Sequence, residues 1–542
     1  MGASSSSSKG KYPDARQIQT TYGPIEGRRM IWEGERQVDA YQGIPYAAAP
    51  VGELRFAMPQ AHEKWEEVRE TKGFGPRGIQ KDNILEGKPA PQSEDNLSLN
   101  IFCPVWTPEA TSSGFPVLFY IHGGGFVSDS AIKYGDLSIC QHLVLKDVVV
   151  VTIQYRLGFL GFWTTGDDTI PDNLALHDMT LALKWVRENI KEFGGDPDNI
   201  TLMGQSAGGD SVDLLSVSPV SRDLFHKVIP MGGNASCQWS IQPNPLKSCR
   251  ERAEAIGVHD QLNTAEWIHK LRQVPAEKFG ASLDVDSKEA SLAIGPKYDS
   301  VFLPKPILEL RKESPVKPRL VGCARSEGLI MCLFNIDNKH PLNQILKDIP
   351  SLLPESKFPL HARHVQSEAI AKLIDVGTEH SKEEWSRAIS ELKGDIFMNV
   401  GVQQNVLDVL EAQPDTPIYF YSFDYYNPKA YGVIGWKMPF RDATHCTDIS
   451  YVVGNHIVGS LDWTENDLKM IDITTRLWTN FAKYGDPNGV QESETILGET
   501  KWLPATAENP QLHMALDLLP KLETVYKNGR PLYIAQLLRE TS

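Results

Sequence analysis

Short apolar runs alternate along this chain with longer amphipathic stretches, and the alternation predicts a parallel sheet flanked by helices. Residues 116–121 are apolar and β-favouring throughout, as in a strand that is buried on both faces. Residues 178–193 place apolar side chains at helical spacing on one side and charged side chains on the other, and Gly194 ends the pattern. Residues 200–203 then return as an apolar strand. The order predicts a crossover helix between two parallel strands.

The same pattern continues towards the C-terminus. Residues 319–323 and 417–423 read as further strands, whereas residues 237–305 and 342–411 are helical and charged. We interpret the two charged stretches as helical insertions over the active-site face. No linker rich in Ser, Gly or Pro separates them, so we predict a flexible Ser-rich tail over residues 1–20 and a single catalytic domain over residues 21–542.

The pentapeptide at 204–208, Gly-Gln-Ser-Ala-Gly, lies between the strand at 200–203 and a stretch compatible with a helix. A serine hydroxyl is a poor nucleophile until a sharp strand-to-helix turn exposes it and a base takes its proton. Glycines flank such a turn because a Cβ would clash with the crowded backbone. Five residues of this kind also arise by chance in a Gly-rich chain, so Ser206 is a nucleophile only if the chain supplies partners for it.

A glycine triplet at 123–125 follows the strand at 116–121 directly. Acyl transfer places negative charge on the carbonyl oxygen, and each preorganised N–H donor stabilises that charge by roughly 3 kcal/mol. We assign the N–H groups of Gly124, Gly125 and Ala207 as the oxyanion hole. The alternative interpretation of the triplet is a flexible loop tip.

Together these motifs resemble the type-B carboxylesterases, the cholinesterase-like branch of the α/β-hydrolases. The resemblance covers nearly the whole chain from about Tyr22, and it includes the segments 41–56, 93–100, 122–126, 193–197, 204–208 and 478–488. It implies an α/β-hydrolase fold: a large, mostly parallel central sheet flanked by helices, with helical insertions over the active site.

The resemblance also implies the partners of Ser206. Glu327 follows the strand at 319–323 and matches the acid of the family's triad, and His445 matches its base. The chain order of serine, acid and histidine is the one expected of this fold. His226 and His456 do not match the motif, and we interpret both as structural or solvent-facing.

Two pairs of charged residues match structural salt bridges of the family and have no catalytic role in this interpretation. They are Arg55 with Glu94 and Arg156 with Asp178.

The substrate site departs from that of the cholinesterases. Gln205 replaces a glutamate, the segment 85–91 lacks a cation-stacking tryptophan, and residues 330 and 331 are aliphatic. A quaternary ammonium would therefore lack its aromatic partners. We predict an apolar acyl or alcohol pocket, although some of its side chains could equally belong to the core. The predicted pocket residues are Phe126, Trp239, Ile330 and Met331.

Composition limits the class of partner. The chain has 542 residues, 54 basic and 69 acidic, with a formal charge of −15, which argues against binding of nucleic acid. We predict a serine esterase acting on a small-molecule ester without metal or cofactor. An acyltransferase that uses a small-molecule alcohol or sugar shares the acyl-serine and stays open. An adhesion module of the same fold would lack part of the triad. The oligomeric state is left open.

Seven cysteines are an odd number in no paired spacing. The resemblance implies a first disulfide at positions that are Gly78 and Asn96 here, so both partners are missing. We therefore predict buried free thiols in a reducing compartment. Cys323 and Cys446 lie near the predicted acid and base, and we assign them to packing, with a reactive thiol as the alternative.

The N-terminus fits a chain that is not secreted. It has no apolar signal core, and the start Met-Gly-Ala-Ser-Ser-Ser matches the N-myristoylation pattern at Gly2. A disordered tail is the alternative. One myristoyl chain anchors weakly, so we expect a cytoplasmic protein with reversible membrane association.

Overall fold

The computed structural model describes most of the chain. The described residues are 12–81, 90–108, 113–259, 263–283, 285–286, 291–333, 339–432, 434–457, 462–491 and 494–541. Gly2 lies outside these ranges, as do residues 85–89 of the segment compared with cholinesterases. Myristoylation of Gly2 therefore stays a prediction.

A mixed sheet forms the centre of the fold and contains thirteen strands within the described residues. In chain order the strands are β1 Asp14–Gln19, β2 Pro24–Ile31, β3 Val38–Pro45, β4 Arg69–Glu70, β5 Ser98–Pro104, β6 Phe115–Ile121, β7 Val149–Ile153, β8 Gly195–Gln205, β9 Lys227–Met231, β12 Arg319–Ala324, β13 Ile418–Phe423, β14 His513–Leu516 and β15 Lys521–Glu523, and a separate hairpin pairs β10 Val285–Asp286 with β11 Ser291–Leu292. Their order in the sheet is β1-β2-β3-β5-β7-β6-β8-β9-β12-β13-β14-β15, and β4 pairs with β2.

The central strands, from β7 to β14 in sheet order, run parallel, and the antiparallel pairs lie towards the two edges. Every residue of β7 and of β12 is buried, because helices cover both faces of the sheet. Ile121 at the end of β6 pairs with Gly204 at the end of β8. This register brings the glycine triplet next to Ser206. The predicted fold class is confirmed.

Helices surround the sheet. The α-helices of the described residues are α1 Leu137–His142, α2 Gly158–Phe162, α3 Leu174–Asn189, α4 Ala207–Val217, α5 Pro245–Ala255, α6 Thr264–Arg272, α7 Ile307–Lys312, α8 Pro341–Leu352, α9 Ala362–Leu373, α10 Lys382–Gly394, α11 Val400–Ala412, α12 Thr447–Val453, α13 Glu465–Tyr484 and α14 Arg530–Glu540. The short helices include the 3-10 turns Ile190–Phe193, Ala276–Phe279 and Glu327–Cys332 and a π-helix at Asp395–Asn399.

The crossover helix begins earlier than the pattern predicts. α3 starts at Leu174, after Asn173 in a left-handed conformation with φ 54°, and not at residue 178. Its first turn, Leu174–His177, is buried on every side and therefore shows no amphipathic pattern. The predicted end is correct, since a 3-10 turn at Ile190–Phe193 leads into Gly194 with φ 82°.

The predicted tail is wrong over residues 14–19. These residues form β1, which pairs with β2 and buries Ala15 and Ile18. An irregularity between Asp14 and Gln17 places the two buried residues three positions apart. The alternation typical of a half-buried strand is therefore missing from this segment.

The two charged stretches are helical insertions, apart from the hairpin of β10 and β11. α5 and α6 lie in the first stretch, and α8 to α11 in the second. α10 packs against the turn that carries Glu327, where a Cβ at Gly328 would lie 2.1 Å from the Ser390 carbonyl oxygen. The assignment of residues 21–542 to one domain stays a prediction.

Both predicted salt bridges are present. Arg55 Nη2 donates to Glu94 Oε2 at 2.7 Å, and Arg156 Nη2 donates to Asp178 Oδ1 at 2.7 Å. All four side chains are largely buried, and in each pair the opposite charge of the partner compensates the buried charge.

The seven cysteines are all free thiols, six of them buried and Cys446 partly exposed. Within the described ranges, no helix combines the length and apolarity needed to cross a membrane.

Candidate active site

Ser206 occupies a sharp turn between β8 and α4. Its backbone has φ 59° and ψ −127°, a conformation that L-residues rarely adopt. A Cβ at Gly204 would lie 2.3 Å from the Gly208 carbonyl oxygen, and a Cβ at Gly208 would lie 2.1 Å from the Ile121 carbonyl oxygen. Both contacts are impossible for a side chain. The glycines are therefore required by backbone crowding, as the sequence predicts.

The glycine triplet lies against Ser206. A Cβ at Gly123 would be 3.1 Å from Ser206 Cβ, and Gly124 and Gly125 have φ 89° and 60°. The Gly124 carbonyl oxygen accepts hydrogen bonds from the N–H groups of Val127 and Ser128, which fixes the loop. Within the described residues, the N–H groups of Gly124, Gly125 and Ala207 donate no hydrogen bond to another protein group. No described protein group therefore accepts from these three N–H groups, and Ala207 directly follows the serine.

The loops after β12 and β13 bring Glu327 and His445 together. Glu327 is 1% exposed, and its Oε1 accepts a hydrogen bond of 2.7 Å from the Ala324 N–H. Its Oε2 lies 2.6 Å from His445 Nδ1. The carboxylate and the imidazole thus form a buried, hydrogen-bonded pair. The other imidazole nitrogen, Nε2, does not take part in this hydrogen bond.

Burial by itself lowers the pKa of the His445 imidazole. The interactions with Cys446 and with the Glu327 carboxylate outweigh burial, and the pKa lies well above its usual value near 6.5. The Glu327 carboxylate therefore favours the protonated imidazole, the form that His445 takes after it has accepted a proton.

Gln205 contacts the other side of His445. Gln205 Nε2 lies 3.3 Å from His445 Nε2, and Cys446 Sγ donates to Gln205 Oε1 at 3.3 Å. If Nδ1 carries the proton shared with Glu327, Nε2 has a free lone pair to accept from Gln205. Between described atoms, Ser206 Oγ makes no hydrogen bond to His445, so the serine hydroxyl must turn towards the imidazole before attack.

Two adjacent glycines connect these side chains. A Cβ at Gly232 would lie 3.4 Å from both Glu327 Oε1 and His445 Cε1, and a Cβ at Gly233 would lie 2.3 Å from the Ser206 carbonyl oxygen. The end of β9 therefore lies directly beside both the serine turn and the Glu327–His445 pair. The sequence analysis missed this element, because a Gly-Gly pair after a strand has no chemical side chain to mark it.

Sequence reasoning also missed the role of position 446. Cys446 has φ 69°, which disfavours a non-glycine residue, and its partly exposed thiol reaches Gln205. Its position directly after the predicted base was the only signal available. The structure thus places a thiol, an amide and an imidazole in one chain of contacts.

The four predicted pocket residues differ in exposure. Phe126 and Trp239 are 0% and 4% exposed, with ring centroids 6.2 Å apart, and both belong to the main core. Ile330 and Met331 are half-buried. The Ile330 N–H donates to Thr444 Oγ1 at 2.9 Å, which holds it beside the histidine loop. Their role in substrate binding stays a prediction.

The other candidate histidines have local roles. His226 Nδ1 accepts a hydrogen bond of 3.1 Å from the Ile200 N–H, and the His456 ring stacks on Trp463 at 3.5 Å between centroids. Among the described residues, no three His, Cys, Asp or Glu side chains are grouped as metal ligands would be.

Comparison with known proteins agrees with the geometry. A family model described as the carboxylesterase family matches residues 14–533. An esterase of Caenorhabditis elegans, cest-33, is 37% identical over 529 residues, 96% of this chain and 94% of the relative. A medium-chain fatty acyl-CoA hydrolase precursor of Anas platyrhynchos is 31% identical, covering 89% of this chain and 86% of its own. Carboxylesterase 3 of Homo sapiens is also 31% identical, covering 87% and 83%.

Proposed function

Because this chain belongs to the carboxylesterase family and is a carboxylic ester hydrolase, we propose that Ser206, His445 and Glu327 carry out the hydrolysis through an acyl-serine. The observation that supports this assignment most directly is the 2.6 Å contact between His445 Nδ1 and Glu327 Oε2 beside a serine at φ 59°. The hydrogen-bonded carboxylate–imidazole pair and the strained serine turn support the roles proposed for these three groups.

In the proposed first step, Ser206 Oγ attacks the acyl carbonyl carbon while His445 Nε2 takes the serine proton. Glu327 holds the imidazole in the required tautomer and stabilises the imidazolium. His445 then gives the proton to the leaving alcohol as its bond to the acyl carbon breaks. Water attacks the acyl-serine in the second half, again with His445 as base, and releases the acid and the free serine.

The N–H groups of Gly124, Gly125 and Ala207 are the proposed oxyanion hole. This role is supported because they have no hydrogen-bond acceptor among the described residues. Ala207 directly follows Ser206, and the two glycines directly follow Gly123, which lies against the serine. Each donor would stabilise the tetrahedral state by roughly 3 kcal/mol. Besides the ester and water, the proposed mechanism uses side chains and backbone N–H groups of the chain.

The substrate is proposed to be a small-molecule ester with an apolar acyl or alcohol part. The aliphatic residues Ile330 and Met331 beside the histidine loop support this, and one relative is named for medium-chain fatty acyl-CoA hydrolysis. Transfer of the acyl group to another alcohol would proceed through the same acyl-serine. Product analysis with an added alcohol distinguishes the two outcomes.

The test is the hydrolysis of p-nitrophenyl butyrate by the wild-type chain, by Ser206→Ala and by Ser236→Ala. We expect Ser206→Ala to lose at least 10³-fold in kcat/KM, whereas Ser236→Ala, which changes a serine in a neighbouring loop, keeps its activity. A fluorophosphonate should also add its mass to the peptide that contains Ser206. Unchanged turnover by Ser206→Ala, or labelling of another serine, would remove the mechanism.

A further inference from the structure

A cavity of about 340 Å³ adjoins the proposed oxyanion loop. Gly125 and Val127 line it together with residues of helix α5 and with residues 281–283 and 292–294. Gly125 is shared by the cavity and by the proposed oxyanion hole. The cavity therefore reaches the loop after β6 that carries two of the proposed oxyanion donors.

Part of the cavity wall is apolar. Its large apolar side chains are Val127, Phe159, Leu283 and Ile294. Leu283 packs on Gly125 so closely that a Cβ at Gly125 would lie 2.3 Å from Leu283 Cδ1. Leu283 is nevertheless 57% exposed, which leaves a large apolar surface for a ligand chain to cover.

Arg252 of helix α5 brings a positive charge to the same cavity. Its Nη2 donates to the carbonyl oxygens of Lys278 and Gly280, and its guanidinium carbon lies 5.5 Å from the centre of the Phe159 ring. Its Nε is buried without a hydrogen-bond partner. No carboxylate among the described residues forms an ion pair with it, and burial lowers its pKa. A half-buried, uncompensated guanidinium is costly unless an anion binds it.

Among the described lining residues, basic side chains outnumber acidic ones. Lys81 is a second lining cation. Glu251 is the single carboxylate among the described lining residues, and it faces Lys247 at 3.9 Å, with both side chains mostly exposed. Ser248 and Ser282 add hydroxyl groups. The described lining thus carries a net positive charge, which favours an anionic group.

We propose that this cavity binds an ester arm that is aliphatic near the ester carbonyl and ends in a carboxylate, with Arg252 as the residue that recognises the carboxylate. The proposal rests on the ester hydrolysis proposed at Ser206. The carboxylate could belong to the acyl arm, as in a monoester of a dicarboxylic acid, or to the alcohol arm, as in an ester of an ω-hydroxy acid. The chemistry at Arg252 is the same in both.

The experiment compares esters that differ only in the terminal group. Mono-p-nitrophenyl adipate is compared with p-nitrophenyl hexanoate for the acyl arm, and the hexanoyl ester of 6-hydroxyhexanoic acid with hexyl hexanoate for the alcohol arm. We expect Arg252→Met to lower kcat/KM for the anionic member of one pair roughly ten- to a hundredfold, chiefly through KM, and to leave both neutral esters within about twofold.

Three controls separate recognition from folding. Arg250→Met removes an exposed arginine of the same helix and should change neither pair. Arg252→Lys keeps the charge but loses the forked donor, so it should recover part of the loss. Raising the salt concentration should weaken turnover of the anionic ester and leave the neutral ester unchanged.

Titration of the Ser206→Ala protein with mono-p-nitrophenyl adipate and with 6-(hexanoyloxy)hexanoate gives a readout that needs no turnover. The double variant that carries both Ser206→Ala and Arg252→Met should bind one of these anions roughly ten- to a hundredfold more weakly than Ser206→Ala alone. Equal effects of Arg252→Met on the anionic and neutral esters, or no effect on either anionic ester, would overturn the proposal while leaving ester hydrolysis intact. If the wild-type chain hydrolysed no ester, the proposed function would fail, and the titration alone would decide the role of Arg252.

Discussion

Asp210, one turn after Ser206 in helix α4, is a fully buried carboxyl group whose protonation we expect to control stability. Its Oδ1 accepts a hydrogen bond of 2.7 Å from Ser240 Oγ, and its Oδ2 is buried without a partner. Burial, with a smaller contribution from the charge of Asp213, raises its pKa from 3.8 to about 8. The N-terminus of α4 favours a negative charge by only about 1 kcal/mol, too little to reverse this effect.

Asp213, one turn further on, shows what Asp210 lacks. It is equally buried, but Arg311 and Arg319 donate to it at 2.6 to 3.0 Å, and these cations hold its pKa below the usual range despite burial. The same burial therefore produces opposite shifts, and the difference lies in the two arginines.

The sign of the pH dependence follows from the raised pKa. Between about pH 4 and pH 8 the folded protein keeps Asp210 protonated while the unfolded chain ionises it, so the folded state binds more protons. The contribution of this carboxyl group to the free energy of unfolding is fully present below about pH 4 and is lost as the pH rises towards 8. Each pH unit costs about 1.4 kcal/mol, or on the order of 5 kcal/mol over the whole window.

The assay is reversible urea unfolding, followed by tryptophan fluorescence, of wild type and Asp210→Asn at pH 6 and pH 8. Asparagine imitates the neutral acid and does not ionise. From pH 6 to pH 8 the free energy of unfolding of wild type should therefore fall by about 2 kcal/mol relative to that of Asp210→Asn. Asp198→Asn, which removes a carboxylate with 77% of its side chain exposed, should differ from wild type by less than about 0.5 kcal/mol at both. Parallel pH dependences of wild type and Asp210→Asn would refute the reasoning.

Three further predictions concern the candidate site and the N-terminus. Glu327→Gln should lower kcat roughly 10³- to 10⁴-fold. It should also move the acidic limb of the pH–rate profile to lower pH, because the carboxylate that helps to raise the pKa of His445 is gone. An acidic limb at the same pH in variant and wild type would contradict this. Iodoacetamide should inactivate the wild-type chain by alkylating Cys446, the one cysteine that is not buried. It should not inactivate Cys446→Gly, a variant whose glycine suits φ 69°. Equal inactivation rates of the two proteins, with peptide masses showing alkylation elsewhere, would contradict this prediction. Intact protein from its own cells should carry a 14-carbon acyl mass on Gly2, and an acetylated or free terminus would exclude the lipid anchor.

The strands of the central sheet could be predicted from the sequence because burial on both faces leaves a continuous apolar run. The runs at 116–121, 319–323 and 417–423 each fall within one residue of the observed strand. Segments whose burial is irregular could not be predicted. β1 has two buried residues at an irregular spacing, and the first turn of α3 is buried all round, so neither shows the expected period.

The sequence alone determined which residue types are available for acyl transfer and the order in which they follow the strands. Spacing and local pattern indicate these features, because the apolar strands and the Gly-x-Ser-x-Gly turn are formed by residues that are neighbours in the chain. Only the tertiary structure decided the neighbours of these residues. Gln205 contacts His445, Gly232 lies beside the base and the acid, and Arg252 lines a cavity that Gly125 also lines. Those contacts join elements far apart in the chain, and the charge or exposure of a side chain depends on what the fold packs against it.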